Sequence, residues 1–344
     1  MSSAIPQHRP NRRPARLALG HLRRRRVVGA SLALAAARSA AAQTPWPQRT
    51  VRLLVGLPPG GQADLLARGL APHLATAFGQ PFIVENRPGA GGTLAAAAVA
   101  QAHDLHALGF VLGGPTTTAR ALNPALSYDP ARDFTPITLI TRVPFVLTVH
   151  PALPARDWAG FVAYVKAHPG AVSYASIGPG TVTHLGMEEL KARLGLDMPH
   201  VAYRGFPPAT LDLVAGRVQA MFNVPSAALP QLQDGRLVAV VQTGEARLPT
   251  LPGVPTFAEA GLPDTAFFGW TGVVGPAGFP RAMAERVAAV IRAALESDPA
   301  ARGGLDLAGS EILGTTPAAF AAHQAREAAR WNAVVARLGL RVTD

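Results

Sequence analysis

The sequence predicts an α/β protein built from two lobes, and two observations carry this prediction. From residue 50 onward, short runs rich in β-branched residues alternate with longer amphipathic runs rich in alanine and leucine, as in sheets covered by helices. These runs give nine candidate strands, more than one sheet usually holds, and a chain of 344 residues is long enough for two cores. Hydrophobic residues make up 49% of the chain and charged residues 15%, a composition typical of a folded protein.

The predicted strands are short apolar runs bounded by glycine, proline or polar residues. They span residues 51–55, 81–85, 107–112, 145–149, 172–175, 200–203, 218–222, 237–242 and 268–274. Amphipathic helices are predicted between them, at residues 62–78, 93–102, 155–167, 183–194, 209–215, 280–295 and 317–338. Thr316 and Pro317 mark the start of the last helix, because threonine caps a helix and proline suits the first helical position.

Two crossings between the lobes are predicted, one beginning at Pro144 and Phe145 and the other within residues 263–270. They divide the chain into a discontinuous lobe 1, residues 43–143 and 268–344, and a lobe 2, residues 144–267. Each lobe is expected to be a mixed β-sheet flanked by helices, and lobe 1 holds both ends of the mature chain. Hinged pairs of lobes of this kind close on ligands.

Residues 1–42 have the pattern of a secretory signal peptide. The first 26 residues carry eight arginines and no acidic residue, an apolar stretch follows at 27–37, and three alanines end the segment at Ala42. The apolar stretch is too short for a helix that spans a bilayer, which takes about 20 residues. We expect cleavage after Ala42 and export to the periplasm by either the Sec or the twin-arginine route. A disordered basic tail is the alternative.

The formal net charge of +11 results from 32 Lys and Arg against 21 Asp and Glu. Nine of the arginines lie in residues 1–42, and removing them leaves a mature chain at +2. That value argues against nucleic acid as a partner. The absence of cysteine excludes disulfides, thiolate nucleophiles and cysteine-ligated metal sites. No metal and no cofactor are predicted.

Residues 57–64 join a strand to a long helix. Prolines stiffen this turn, paired glycines let a ligand approach the backbone, and the first N–H groups of the helix are free to bind an anion. Asp64 is assigned a structural role, as a cap or as the partner of Arg68, because a carboxylate facing the site would repel an anion. A tight turn without a ligand would explain the same pattern. The candidate ligand-binding residues are Leu57, Pro59, Gly60 and Gly61.

Residues 176–184 repeat this pattern in the other lobe. Glycines again expose backbone N–H groups, hydroxyl side chains add neutral donors, and a histidine falls in the first helical turn, where the dipole favours its neutral form. The candidates here are Ser176, Gly178, Gly180, Thr181 and His184. A purely structural role for His184 stays open. Two such loops on facing lobes would form a two-sided carboxylate clamp.

Two further strand ends supply polar groups. A loop at residues 113–118 carries Thr116 and Thr117, and Asn223 ends another strand. In open α/β sheets, ligands bind beyond the carboxyl ends of the strands, where all of these candidates are expected to lie.

The sequence contains no convincing enzyme signature. Residues 89–94 lack the third glycine of a dinucleotide-binding loop, no G-x-S-x-G elbow surrounds Ser176, and no H-E-x-x-H motif occurs. The protein is therefore not expected to be an enzyme. A hydrolase that uses Ser176 and His184 is the least favoured alternative.

Five segments form a combination more specific than any single loop. They are L-P-P-G-G-x-x-D-x-x-A-R at 57–68, V-E-N-R-P-G-A-G-G at 84–92, Y-D-P and D-F within 128–134, Y-A-S through His184 at 174–184, and L-P-G-V-P-T with E-A-G within 251–261. In this order, and over nearly the whole mature chain, they resemble the Bordetella uptake gene (Bug) proteins. Those proteins are the extracytoplasmic solute receptors of tripartite tricarboxylate transporters.

The resemblance implies a type II periplasmic-binding-protein (Venus flytrap) fold whose two lobes close on a small carboxylate. It places the ligand loops at residues 57–61 and 176–184, with support from the region of Thr116. Leu57 stands where an aromatic residue is usual, residues 103–107 replace the usual P-D-G-Y-T, and Asn223 replaces a usual aspartate. Losing that aspartate removes a partner for an ammonium group, which favours plain carboxylates over amino acids.

We therefore expect a monomeric periplasmic protein that captures a small organic carboxylate and delivers it to the permease subunits of a tripartite tricarboxylate-type transporter. The alternative is a sensing receptor of the same fold that docks on a sensor-kinase ectodomain.

Overall fold

The computed structural model describes residues 46–305 and 309–342, together with Met1 and Ala4. Apart from those two residues, the predicted signal peptide and its cleavage site lie outside the described part. By its contacts the chain divides into two units, Met1–Trp46 and Pro47–Asp344, and every element below belongs to the second. No helix in the described ranges has the length and apolar character needed to cross a membrane.

The secondary structure alternates between strands and helices along most of the chain. The strands are β1 (Val51–Val55), β2 (Phe82–Asn86), β3 (Ala107–Leu112), β4 (Phe134–Pro144), β5 (Val146–Val149), β6 (Tyr174–Ser176), β7 (His200–Ala202), β8 (Ala220–Asn223), β9 (Val238–Gln242), β10 (Phe268–Pro276) and β11 (Glu311–Ile312). The α-helices are α1 (Gln62–Phe78), α2 (Thr93–Ala100), α3 (Gly113–Thr117), α4 (Ala119–Leu122), α5 (Trp158–Ala167), α6 (Val182–Leu194), α7 (Phe206–Val214), α8 (Pro225–Gln233), α9 (Arg281–Ser297) and α10 (Pro317–Leu338).

Two mixed sheets organise these elements. Sheet A has the strand order β11-β4-β10-β3-β1-β2, with β1 parallel to β2 and β3, and β10 antiparallel to β3 and β4. Sheet B has the order β7-β6-β8-β5-β9, with β6 parallel to β7 and β8, and β5 antiparallel to β8 and β9. The central strands β1 and β3 are buried almost throughout, as expected when helices cover both faces of a sheet. We call sheet A with its helices lobe 1, and sheet B with its helices lobe 2.

The chain passes from lobe 1 to lobe 2 between β4 and β5, and it returns between β9 and β10. Buried Thr243 ties the two passages together: its Oγ1 accepts a hydrogen bond from the Phe145 backbone N–H at 2.9 Å and donates to the Phe267 carbonyl at 2.5 Å. The rings of Phe145 and Phe267 pack with centroids 6.0 Å apart. The lobes are therefore joined by a double-stranded hinge with a hydrogen-bonded core.

The first and last long helices have the predicted bounds, because their end signals are local. Helix α1 ends at Phe78 and is capped by Gly79, whose left-handed conformation (φ 69°) lets its N–H bond the Ala75 carbonyl at 2.9 Å. Helix α10 begins as predicted at Pro317, and the Thr316 hydroxyl accepts a hydrogen bond from the Ala319 N–H at 3.3 Å.

Five elements were not predicted: β4, β11, α3, α4 and α8. Strand β4 contains Pro136, and proline in an apolar run argues against a strand. In the structure Pro136 pairs with Val274 beside a register shift, so its missing N–H falls where the ladder is already irregular. Helix α8 begins with Pro225 and contains Pro230. Because proline disfavours the interior of a helix, the sequence does not predict this helix.

Helix α10 contacts both lobes. It packs against β4 and α3 of lobe 1 and against α6 of lobe 2. The Trp331 ring lies 5.8 Å from the ring of Phe267, and Arg337 forms an ion pair with Glu189 of α6. The last helix thus flanks the hinge and lies beside the cleft between the lobes.

Candidate functional site

Loops of the two lobes touch across the cleft, and glycines make this approach possible. A Cβ atom at Gly114 of lobe 1 would lie 2.6 Å from the Gly180 carbonyl oxygen of lobe 2, and one at Gly91 would lie 2.8 Å from the Pro179 carbonyl oxygen. The Thr118 hydroxyl of lobe 1 lies within hydrogen-bond distance, 3.3 Å, of the Gly180 carbonyl oxygen. The lobes are therefore closed on one another at the ends of their strands.

The first loop, residues 57–61, is held by the buried carboxylate of Asp64. That carboxylate accepts hydrogen bonds from the Gly60 N–H at 2.9 Å, from Asn86 Nδ2 at 2.9 Å and from Arg68 Nε at 3.0 Å. Asn86 also donates to the Leu57 carbonyl at 3.0 Å. Burial alone would raise the pKa of Asp64, but the hydrogen bonds and the charge of Arg68 outweigh burial and lower the pKa. The predicted structural role of Asp64 and its pairing with Arg68 are confirmed.

The start of helix α1 presents free donors beside this loop. The N–H groups of Asp64 and Leu65 bond the Gly61 carbonyl at 3.0 Å, whereas the described residues provide no acceptor for the N–H groups of Gln62 and Ala63. Because the helix dipole adds partial positive charge here, these N–H groups form an anion-binding position.

The second loop, residues 176–181, uses its hydroxyl groups to hold its own shape. Thr181 Oγ1 donates to the Gly178 carbonyl at 2.6 Å, and Ser176 Oγ lies 3.2 Å from the same carbonyl and accepts from the Gly178 N–H at 3.1 Å. The N–H groups of Val182 and Thr183 at the start of α6 have no acceptor among the described residues. This loop therefore offers backbone donors, as the first loop does.

His184 supports the second loop from behind. Its Nδ1 accepts a hydrogen bond from the Gly180 N–H at 3.2 Å, and its ring stacks on His200 at a centroid distance of 4.3 Å. Burial lowers the pKa of His184, and burial together with the nearby His184 lowers the pKa of His200 to about 4. Nε2 of His200 lies 2.7 Å from Ser176 Oγ. Both rings are therefore neutral near pH 7 and brace the loop.

The predicted loop at residues 113–118 is helical, so that prediction was wrong. The hydroxyls of Thr116 and Thr117 donate to the carbonyls four residues earlier, at 3.2 and 2.8 Å, which satisfies them within the helix. The Thr118 hydroxyl lies 3.3 Å from both the Gly114 and the Gly180 carbonyl oxygens. At the end of β8, buried Asn223 donates from Nδ2 to the Thr210 hydroxyl at 3.2 Å. Its amide is neutral, and one of its two N–H groups bonds this neighbouring side chain.

Three pockets are lined by described residues of both lobes, and two of them share lining residues. The inner pocket lies between α1 and α3 of lobe 1 and the 177–185 segment of lobe 2. The outer cleft lies between α1 and the starts of α7 and α8. Gln62, Phe206 and Val224 line both pockets, and Val182 lines the inner one. The starts of α1 and α6, one from each lobe, therefore face the same inner pocket.

The sequence-predicted residues divide into two groups. Thr117 and Gly180 line the inner pocket, and Gly60 and Gly61 line the outer cleft. The others contribute to neither lining: Leu57, Pro59, Thr116, Ser176, Gly178, Thr181, His184 and Asn223. They belong to the strand ends and loops that shape the walls.

Sequence reasoning missed several residues that line the pockets. Gln62 directly follows the glycine pair, and its Nε2 donates to Thr141 Oγ1 at 3.0 Å. Trp270, Thr271 and Glu327 lie at the inner end, on β10 and α10. Gln62 could have been found from its place in the motif, whereas the residues of β10 and α10 carry no local signal of a site.

The inner pocket can bind an anion through oriented dipoles. The first residues of two helices, Gln62 and Val182, line this pocket, and the only ionisable side chain in its described lining is Glu327. In the described part of the chain, no group of three or more His, Asp or Glu side chains is placed to hold a metal ion. A closed pair of α/β lobes with opposed helix starts in the cleft defines a periplasmic-binding-protein type of ligand receptor.

The comparisons with known proteins agree with this class. The family model described as "Tripartite tricarboxylate transporter family receptor" matches residues 66–340, and the chain belongs to that family. A UPF0065 protein in the tcbD-tcbE intergenic region of Pseudomonas sp. is 35% identical over 92% of this chain and 95% of its own length. Protein BugT of Bordetella pertussis is 30% identical over 92% of this chain and 97% of its own length.

Solved structures share the fold at similar identity. MatC from Rhodopseudomonas palustris, with bound malate, is 35% identical, covers 84% of this chain and 100% of its own, and superposes with a TM-score of 0.78. An R. palustris protein with adipate is 33% identical, covers 86% of this chain and 99% of its own, and has a TM-score of 0.79. The predicted two-lobed binding-protein fold and the resemblance to the Bug proteins are confirmed.

Proposed function

We propose that this protein is the periplasmic receptor of a tripartite tricarboxylate-type transporter and that it captures a small organic carboxylate between its lobes. The observation that carries the proposal is the pair of helix starts, at Gln62 and Val182, that line one inner pocket from opposite lobes. Relatives at 33% and 35% identity have structures with adipate and malate. The bodies that close are residues 43–143 with 268–344, and residues 144–267.

Closure explains how such a site gains affinity. An anion that bonds N–H groups of both lobes stabilises the closed arrangement more than the open one, and only this difference drives closure. In the proposal Gly60, Gly61, Thr117 and Gly180 line the ligand space, and the other predicted residues hold the loops in shape.

The experiment is a binding screen of the purified protein against mono-, di- and tricarboxylates by thermal shift, followed by calorimetry. A ligand at 100 times its Kd should stabilise the fold by about 2.7 kcal/mol. The absence of any shift across the panel would contradict the proposal.

A pair of variants tests the helix start directly. Gln62→Pro removes the first free N–H of α1, and the extended backbone of Gly61 (φ −74°, ψ 161°) tolerates a following proline. Gln62→Ala is the matched control, because it removes the same side chain and keeps the N–H. We expect the proline variant to bind the carboxylate about tenfold more weakly than the alanine variant. Equal affinities would show that this N–H does not bind the ligand.

The geometry around Ser176 favours binding over catalysis. Its side chain is fully buried, bonds the loop and His200, and lines neither pocket, so a substrate in the cleft would not reach its hydroxyl. We therefore propose a receptor and not a hydrolase. The protein should show no Ser176-dependent hydrolysis of esters or lactones. The wild-type protein and Ser176→Ala should therefore give the same rates.

Export and delivery complete the proposal. The mature protein recovered from the periplasm should begin at Gln43 and should run as a monomer. A pull-down from solubilised membranes should recover the permease subunits of the transporter. Recovery of a sensor kinase in their place would favour the alternative role as a sensing receptor.

A further inference from the structure

One peptide unit of the second loop lies between lobe 1 and the ring of His184. The Gly180 N–H donates to His184 Nδ1 at 3.2 Å. The carbonyl of the same peptide unit belongs to Pro179, and its oxygen would lie 2.8 Å from a Cβ atom at Gly91 of lobe 1. Because the C=O and N–H of a trans peptide point in opposite directions, the histidine and the opposite lobe contact the two sides of one rigid plane.

The hydrogen bond to His184 requires an unprotonated Nδ1. A backbone N–H only donates, and an imidazole nitrogen accepts only when it carries no proton. The neutral ring therefore holds its proton on Nε2. A second proton, on Nδ1, would place two donors 3.2 Å apart, so the peptide unit would have to rotate away from the ring.

In the closed arrangement, lobe 1 leaves little room for this rotation. A Cβ atom at Gly178 would lie 2.9 Å from the Gly91 nitrogen, and one at Gly180 would lie 2.5 Å from Leu122 Cδ1. Both neighbours belong to lobe 1, so separation of the lobes removes both contacts. The open arrangement therefore accommodates the proton at a lower free-energy cost, and protonation favours opening.

The groups around His184 keep its ring neutral near pH 7. Burial lowers the pKa of His184, Glu188 raises it and Lys191 lowers it, with burial the largest influence. His200, stacked on the ring at a centroid distance of 4.3 Å, is itself neutral near pH 7. The other titratable groups on the elements packed beside the ring are Tyr174 on β6, Glu189 and Arg193 on α6, and Glu327, Arg330 and Arg337 on α10. Two of these arginines, Arg193 and Arg337, form ion pairs with Glu189.

We propose that His184 is a positioning residue whose neutral ring holds the second loop in the shape that closure needs, and that its protonation opens the lobes and releases the carboxylate. His184 lines none of the pockets between the lobes, so it acts through the peptide unit of Pro179 and Gly180. Because closure lowers the pKa of this ring, affinity is complete above the ordinary value of 6.5 and is lost as the pH falls below it. This inference rests on the proposed carboxylate-binding function and adds a control over release.

The test is calorimetry with malate and with adipate at about pH 7.5 and about pH 5, on the wild-type protein and His184→Asn. Asparagine carries Oδ1 on the same atom, Cγ, that carries Nδ1 in histidine, so it can accept the Gly180 N–H, and it does not titrate. We expect the two proteins to bind within about threefold of each other at the higher pH. At the lower pH the wild-type protein should bind about tenfold more weakly than the variant, and at most about 30-fold, the limit for a group that ordinarily titrates at 6.5. Ionisation of the acid itself affects both proteins equally and cancels in this ratio.

Two further variants serve as controls. His168→Asn makes the same substitution at an exposed histidine of lobe 2, whose ring bonds the Tyr164 carbonyl of its own helix, and it should keep the wild-type pH dependence. His184→Ala removes the acceptor of the Gly180 N–H and should bind weakly at both pH values.

An NMR titration of the wild-type protein tests the same coupling without a substitution. Saturation with the acid that binds should lower the pKa of the His184 ring relative to the ligand-free protein, because closure disfavours its proton. An unchanged or raised pKa would overturn the inference.

The outcomes separate the two proposals. If no carboxylate binds at either pH, the proposed function fails and the inference falls with it. If the acids bind but the wild-type protein and His184→Asn lose affinity equally at the lower pH, only the inference is overturned, because another group or the acid itself then causes the loss.

Discussion

A single methyl group at Gly114 should block closure of the lobes. In the closed arrangement, a Cβ at this position would lie 2.6 Å from the carbonyl oxygen of Gly180 and 3.2 Å from its carbonyl carbon. Both are backbone atoms of the opposite lobe, so no side-chain rotation relieves the contact. Gly114 lies in helix α3 with a backbone that alanine can adopt, so Gly114→Ala should leave lobe 1 itself intact.

The size of the effect follows from the distances. Ordinary van der Waals contact begins near 3.4 Å, so the two lobes must separate by about 0.8 Å at this point. Overpacking of this kind costs about 1–3 kcal/mol. Since 1.4 kcal/mol corresponds to a tenfold change, the carboxylate that binds best in the screen should bind about 5- to 150-fold more weakly.

Calorimetry measures the affinity, and small-angle X-ray scattering measures the compaction that the ligand causes. Gly253→Ala is the matched control, because no atom lies within 4 Å of the position that its Cβ would take and its backbone is compatible with alanine. The control should bind and compact as the wild-type protein does. If Gly114→Ala also binds within twofold of wild type and compacts equally, the closed contact seen here does not govern binding.

Other perturbations should act on the loops that shape the cleft. Asp64→Asn replaces a buried carboxylate by an amide whose N–H groups face the donors of Arg68 and Gly60. We expect the free energy of unfolding, measured with urea, to fall by about 2–3 kcal/mol. The control variant Asp234→Asn, at an exposed position, should change it little. His200 has a folded-state pKa of about 4, below the ordinary value of 6.5, so the unfolded chain takes up its proton first as the pH falls. The free energy of unfolding should therefore fall between pH 6.5 and 4 by up to about 1.4 kcal/mol per pH unit. His200→Gln should make this pH dependence less steep. An equal slope in that variant would refute the lowered pKa of His200 as its cause.

Several features could be predicted because their signals are local. Gly79 and the pair Thr316-Pro317 fix the ends of α1 and α10 through backbone geometry within one turn, and these bounds match the structure. The glycine-containing segments after β1 and β6 correctly predicted the two turns that lead into α1 and α6, because a strand, a glycine turn and a helix start occur together along the chain.

Other features were hidden because long-range packing overrides the local signal. Gly113, Gly114 and Pro115 indicate a loop, yet they begin helix α3, which packs against α10 from the other end of the chain. Pro136 argues against a strand, yet β4 forms because β10 pairs along nearly its whole length.

The sequence by itself determined the architecture and the two glycine-containing turns at the cleft, because hydrophobic periodicity and turn chemistry depend on consecutive residues. Only the tertiary structure decided which residues line the cleft. The hydroxyls of Ser176 and Thr181 turn inward to hold their loop, whereas Thr271 and Glu327, distant in sequence, meet at one pocket. The direction of a side chain and its partners depend on what the fold packs beside it, and that information is spread over the whole chain.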